Sequence, residues 1–89
     1  MTEICTFNTD EEDSTDIVLA DGASITISLF GASTIPQGCT ALIQQKQSNG
    51  AYLTKDAIYT EDPVRVLQAN GTWRVRKLAS SIACGVDGD

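Results

Sequence analysis

The residues of this 89-residue chain that could do chemistry are twelve carboxylates, six Lys and Arg side chains and three cysteines; there is no histidine. Without an imidazole the Ser-His-Asp and Cys-His nucleophile arrangements are excluded, as are the common zinc sites that use histidine. No P-loop, GxGxxG or nucleophile-elbow pattern occurs in the sequence. The carboxylates are unevenly placed. Glu3, Asp10, Glu11, Glu12, Asp13, Asp16 and Asp21 fall in the first 21 residues, where there is no Lys or Arg, so the net charge of −6 divides into −7 there and +1 in the rest. Acid–base carboxylates have to be held rigidly, and a run in a terminal segment is not. Residues 10–16 have the carboxylate density of a calcium loop, but no glycine supplies the sharp turn and no glutamate closes the twelve-residue spacing. No enzyme activity, cofactor or metal is expected.

The three cysteines, Cys5, Cys39 and Cys84, form no CxxC pair, and their odd number leaves at least one thiol unpaired. Cys39 and Cys84 read as small buried apolar residues, and Cys5, in the N-terminal segment, as the thiol that a reagent meets first. The start of the chain has no basic stretch followed by a long apolar run, so no signal peptide is expected. No segment approaches the ~20 apolar residues of a membrane span. The acidic balance argues against a partner bound through its phosphates. Neither nucleic acid nor membrane is expected as a partner.

These residues must be positioned by strands. Residues 1–15 show little periodicity and read as a flexible acidic arm whose apolar residues, Ile4, Cys5 and Phe7, could dock on the body or on a neighbour. Residues 16–89 read as one domain. Residues 23–30 alternate, with Ile25, Ile27 and Leu29 on one face and Ser24, Thr26 and Ser28 on the other. Asp21-Gly22 is a turn dipeptide placed to join them to 17–20 as a hairpin. Pro36 and Gly38 make 31–38 a loop. Residues 39–46 form a strand with Ala41 and Ile43 inward, and Ser48-Asn49-Gly50 turns it into 51–55 through either a two- or a three-residue loop, with opposite registers. Residues 56–62 are either a short strand or a connection. Residues 64–67, 72–77 and 82–86 complete the set, with Gly85 marking a bulge or a close backbone approach. Short strands at this spacing describe an all-β sandwich or small barrel, and the expected fold is a small antiparallel sandwich, immunoglobulin-like or jelly-roll-like. A domain this small buries only about two-thirds of its unfolded surface, so oligomerisation would help it.

Asn70-Gly71 is the clearest hairpin turn in the chain. A two-residue turn there sets Leu67 opposite Arg74, Val66 opposite Val75 and Arg65 opposite Arg76. Val64, Val66, Gln68, Trp73, Val75 and the stem of Lys77 then face the core, with Trp73 as anchor. The other face gathers Arg65, Arg74 and Arg76. These arginines are either solvated or receive carboxylates from outside the sheet, and Asp10, Glu11, Glu12, Asp13 and Asp16 are the obvious donors, in the same chain or in a sister copy.

The run Asp62-Pro63-Val64-Arg65-Val66-Leu67, followed by Asn70-Gly71-Thr72-Trp73-Arg74-Val75-Arg76-Lys77 and Ser80-Ser81-Ile82-Ala83-Cys84-Gly85-Val86-Asp87, resembles the ends of small virion proteins of tailed bacteriophages. The resemblance covers 60–89 by motif and 17–59 by general pattern. It implies a head-decoration (cement) protein on the capsid surface of the virion, made in the host cytoplasm. Such a protein is often a homo-oligomer such as a trimer, and it bridges the major capsid protein subunits. Two other classes fit less of the sequence: another virion component of tail, neck or minor capsid, and a carbohydrate-binding sandwich module. An acidic DNA mimic would need its carboxylates spread over a rigid surface, and here seven of the twelve are at one end.

Overall fold

The computed structural model describes residues 2–31 and 38–89. The expected loop at 31–38 therefore lies mostly outside the described residues. The strands are β1 (Thr2–Asn8), β2 (Glu12–Asp13), β3 (Ile17–Leu19), β4 (Ile25–Phe30), β5 (Thr40–Lys46), β6 (Tyr52–Tyr59), β7 (Val64–Leu67), β8 (Gly71–Lys77) and β9 (Cys84–Gly88). They form two antiparallel sheets. One has the order β1-β9-β4-β7, the other β2-β8-β5-β6 with β3 also on β8. This is the antiparallel β-sandwich expected from the sequence.

The pairing follows a single rule. β1 pairs with β9, β2 and β3 with β8, β4 with β7, and β5 with β6. First meets last, and, with β2 and β3 taken together, each later strand meets the one before its predecessor's partner. The chain is thus one long hairpin rolled into two layers, closed by the cross-pairings β4–β9 and β5–β8. With β2 and β3 counted as one interrupted strand, this is an eight-strand jelly roll.

That order corrects two expected hairpins. β3 and β4 do not pair; the turn between them carries the chain from one sheet to the other. Ala23 N–H donates to Ala20 O at 3.0 Å and Gly22 has φ of 80°. A positive φ at the third turn residue alone belongs to a type II turn, whose twist splays hairpin strands. Likewise β7 and β8 flank Asn70-Gly71 but lie in different sheets. The register expected across that turn, Leu67 with Arg74 and Arg65 with Arg76, does not form. Leu67 instead opposes Ile25, and Arg65 opposes Ile27. Val64, Val66 and Gln68, expected in the core, are exposed, the two valines by 47% and 55%, while Trp73 and Val75 are buried as expected and Lys77, of which only the stem was expected inside, is buried whole. Among the described residues the one local hairpin is β5–β6, and its open register resolves as a three-residue loop. Gln47 N–H donates to Ala51 O, and Gly50 N–H donates to Gln47 O.

The segment expected to be an arm supplies β1 and β2. Two register irregularities within β1, between Glu3 and Cys5 and between Cys5 and Asn8, break its alternation, which is why period two is not visible there. Cys5 is fully buried. The core runs through Cys5, Leu19, Ile27, Leu29, Cys39, Ala41, Ile43, Ile58, Trp73, Val75, Cys84 and Val86, drawn from both sheets.

Between β2 and β3 the ladder on β8 is kept by a side chain. Ser14 N–H donates to Val75 O at 2.8 Å, and Val75 N–H donates to Ser14 Oγ at 2.9 Å. Ser14 itself is buried. Ser14→Ala strands a buried N–H, which costs about 1–3 kcal/mol. Urea unfolding should show a lower midpoint at an unchanged m-value.

Candidate functional site

The arginines expected on one face are divided by the sandwich. Arg74 and Arg76 stand on the outer face of the sheet that contains β8, and Arg65 stands on β7 in the other sheet. On β8, Arg76 Nη2 meets Glu11 Oε1 at 2.7 Å and its Nη1 meets Asp13 Oδ1 at 3.2 Å. Arg74 Nη1 lies 3.6 Å from Asp13 Oδ2. Arg74 Nε also donates to Gln44 Oε1 at 2.7 Å, and the guanidinium sits 3.8 Å over the Tyr52 ring. The Tyr52 hydroxyl donates to Asp16 Oδ1, and this hydrogen bond raises the phenol's pKa above its ordinary value. So the acidic segment does reach these two arginines, within its own chain. The register places it there: Asp13 opposes Arg76, and Glu12 opposes Lys77.

The remaining acidic residues act differently. Asp10 is exposed and its N–H donates to Asn8 Oδ1 at 3.0 Å. Glu12 Oε2 accepts from Thr6 N–H at 3.0 Å and Thr6 Oγ1 at 3.3 Å. Arg65 is held by Asp56 at 3.0 Å and Asp62 at 2.6 Å. Asp56 lies on β6, so the Arg65–Asp56 pair bridges the two sheets at the edge where β6 and β7 lie. All these pairs are partly exposed and are worth only ~0–1 kcal/mol each.

Lys77 is the functional-looking residue that sequence reasoning passed over. It is fully buried, and its Nζ donates to Thr6 O at 2.8 Å, Asn8 O at 3.1 Å, Asn8 Oδ1 at 2.5 Å and Cys84 O at 3.1 Å. The available signal was its place, two residues beyond Val75 on the inward face of β8, where only its stem was expected.

The outer face of the other sheet is more apolar. Val64 opposes Ser28 and Val66 opposes Thr26. Their neighbours Arg65 and Leu67 oppose the core-side residues Ile27 and Ile25, so the two valines point outward on an edge strand. Phe30 belongs to the same outward set, opposite Gly85, and stacks on Phe7 with ring centroids 5.7 Å apart. A Cβ at residue 85 would lie 2.6 Å from Phe30 Cζ. Gly85 is therefore the expected close approach.

All three thiols are free and buried, so Cys5 is not the accessible cysteine expected from the sequence. Burial pushes the Cys5 thiol up to about 11 from an ordinary 9.0, with Glu12 adding to the shift. Burial also pushes Cys39 up to about 11, helped by a hydrogen bond with the Cys84 thiol. A thiol raised on folding stabilises the fold fully below its unfolded value. That contribution is lost as pH rises from about 9 towards 11, because the unfolded chain ionises first. The urea midpoint should fall across this window, and the fall should shrink in Cys5→Ser. Thiol reagents at neutral pH should modify all three cysteines at the rate of structural opening.

Among the described residues no group of three or more His, Cys, Asp or Glu side chains converges as a metal site. No protein-family model, no curated protein and no solved structure matches the chain.

Proposed function

We propose that the chain is a head-decoration (cement) protein of a tailed bacteriophage, which binds the assembled capsid and stabilises it by bridging capsid subunits. The observation that carries this reading is the outward face of edge strand β7. Val64 and Val66 are 47% and 55% exposed there, on a strand that is last in its sheet among the described residues. Unpaired strand edges and exposed apolar side chains are what another protein covers. Arg74 and Arg76 on the opposite face are already paired within the chain, which leaves the apolar face as the better contact surface. The resemblance of residues 60–89 to phage virion proteins points to the partner. The jelly-roll order, common in viral coat and lectin domains, agrees with it by fold analogy alone.

The mechanism is additive binding. Each contact is modest, but copies fixed on a lattice see a high effective concentration of sites. Binding the assembled shell and not the free subunit shifts the equilibrium towards the shell. The test uses particles purified from a culture producing the full chain, with the copy number per particle measured by mass spectrometry, and capsid pull-down of purified protein. Many copies per particle, and binding weakened at least tenfold by Val64→Lys with Val66→Lys, support the proposal. Absence from particles, or selective binding to a glycan array, overturns it.

A further inference from the structure

The Lys77 ammonium is surrounded by carbonyl oxygens and not by a carboxylate. Among the described residues, no ion pair includes it. A buried cation with no opposing charge is costly, and the group it touches most closely, the Asn8 side chain at 2.5 Å, is one with which an amine can react. This hydrogen bond holds the amine beside the carboxamide, and once deprotonated Nζ has to swing from the oxygen's lone pair to the face of Cγ to attack. Asn8 Oδ1 also accepts the Asp10 N–H at 3.0 Å. That backbone donor is already aimed at the oxygen where negative charge would develop. Glu12 lies directly across the ladder from Lys77, and its carboxylate holds the N–H of Thr6, the residue whose carbonyl the ammonium touches. Nucleophile, electrophile, oxyanion donor and nearby carboxylate are therefore assembled at one end of the core.

We propose that Lys77 and Asn8 join in an intramolecular isopeptide bond. Glu12, beyond ion-pair distance of the ammonium, takes a proton from it through one water. The Nζ lone pair adds to Asn8 Cγ, and the carbonyl electron pair moves to Oδ1, where the Asp10 N–H stabilises it. Glu12 gives its proton to Nδ2, the intermediate collapses, the Cγ–Nδ2 bond breaks and ammonia leaves. The ammonia then takes the remaining extra proton of Nζ, which leaves a neutral amide and ammonium. One C–N bond forms, one breaks, ammonium is released, and no oxidant or other reactant is required. The product links β1 of one sheet to β8 of the other. This covalent staple suits a domain with a small core.

The test is the mass of the intact, denatured wild-type chain. The bond predicts a deficit of about 17 Da, one ammonia, against the sequence mass. Asn49-Gly50 and Asn70-Gly71 can lose the same mass by forming succinimides, so peptide mapping has to find a branched peptide joining the Asn8 and Lys77 segments. Lys77→Arg and Asn8→Ala should keep the full mass, and Glu12→Gln should slow the reaction at least tenfold. The full sequence mass in the wild type, or a deficit mapped to a succinimide, overturns the proposal. The wild-type measurement decides this whether or not any variant folds.

Discussion

Trp73→Ala should lower the unfolding free energy by about 3–5 kcal/mol. The indole is 5% exposed, at one end of the inward row Trp73, Val75, Lys77 on β8, and its Nε1–H donates to Ala69 O at 3.0 Å. Its truncation removes packing between the sheets and leaves that carbonyl without its donor. Small domains have roughly 5–15 kcal/mol in total, so the variant should melt far below the wild type. A thermal melt checks this, and a midpoint within a few degrees of wild type would mean the indole is not packed in the core.

In the chain before any Asn8–Lys77 bond forms, Lys77→Met should cost about 1–3 kcal/mol, although methionine keeps most of the stem volume. The loss lies in the acceptors. Thr6 O, Asn8 O, Asn8 Oδ1 and Cys84 O all receive Lys77 Nζ, and they come from β1 and β9. Removing one partner from a buried polar cluster leaves the others with their desolvation penalty. The disturbance should therefore concentrate on β1, seen as faster amide exchange in Thr2–Asn8 than in β5 or β6. Uniform acceleration across both sheets would point to a packing defect instead. Exposed ion-pair variants such as Arg65→Met set the scale for comparison, at no more than ~1 kcal/mol.

The difference between these residues bears on what could be read in advance. Trp73 was legible as a core anchor because alternation along 72–77 states which side chains share a face, and a large aromatic belongs on the inner one. The same alternation put Lys77 on that face but said nothing about its head group, three of whose four acceptors lie about seventy positions away in β1. The acidic segment shows the same boundary. Its charge marked it as a donor for arginines, and Glu11 and Asp13 do meet Arg74 and Arg76. Arg65 shares a face with them only in a hairpin across Asn70-Gly71, and β7 and β8 lie in different sheets.

What the sequence determined by itself is local: that the chain is made of short strands, where it reverses, and which residues share a face within β4, β5 and β8. Period-two patterning and turn residues act over a few positions, so they encode faces and reversals and not partners. The tertiary structure decided which strands pair. Both Asp21-Gly22 and Asn70-Gly71 reverse the chain, but they carry it between layers, because β3, β4, β7 and β8 each bury their inner face only when β4 and β7 pair in one sheet and β3 and β8 in the other. The rolled hairpin also placed β1 against β9, which buried Cys5 and brought Asn8 to Lys77. Those contacts join the two ends of the chain, and only the closing of both sheets around one core puts them together.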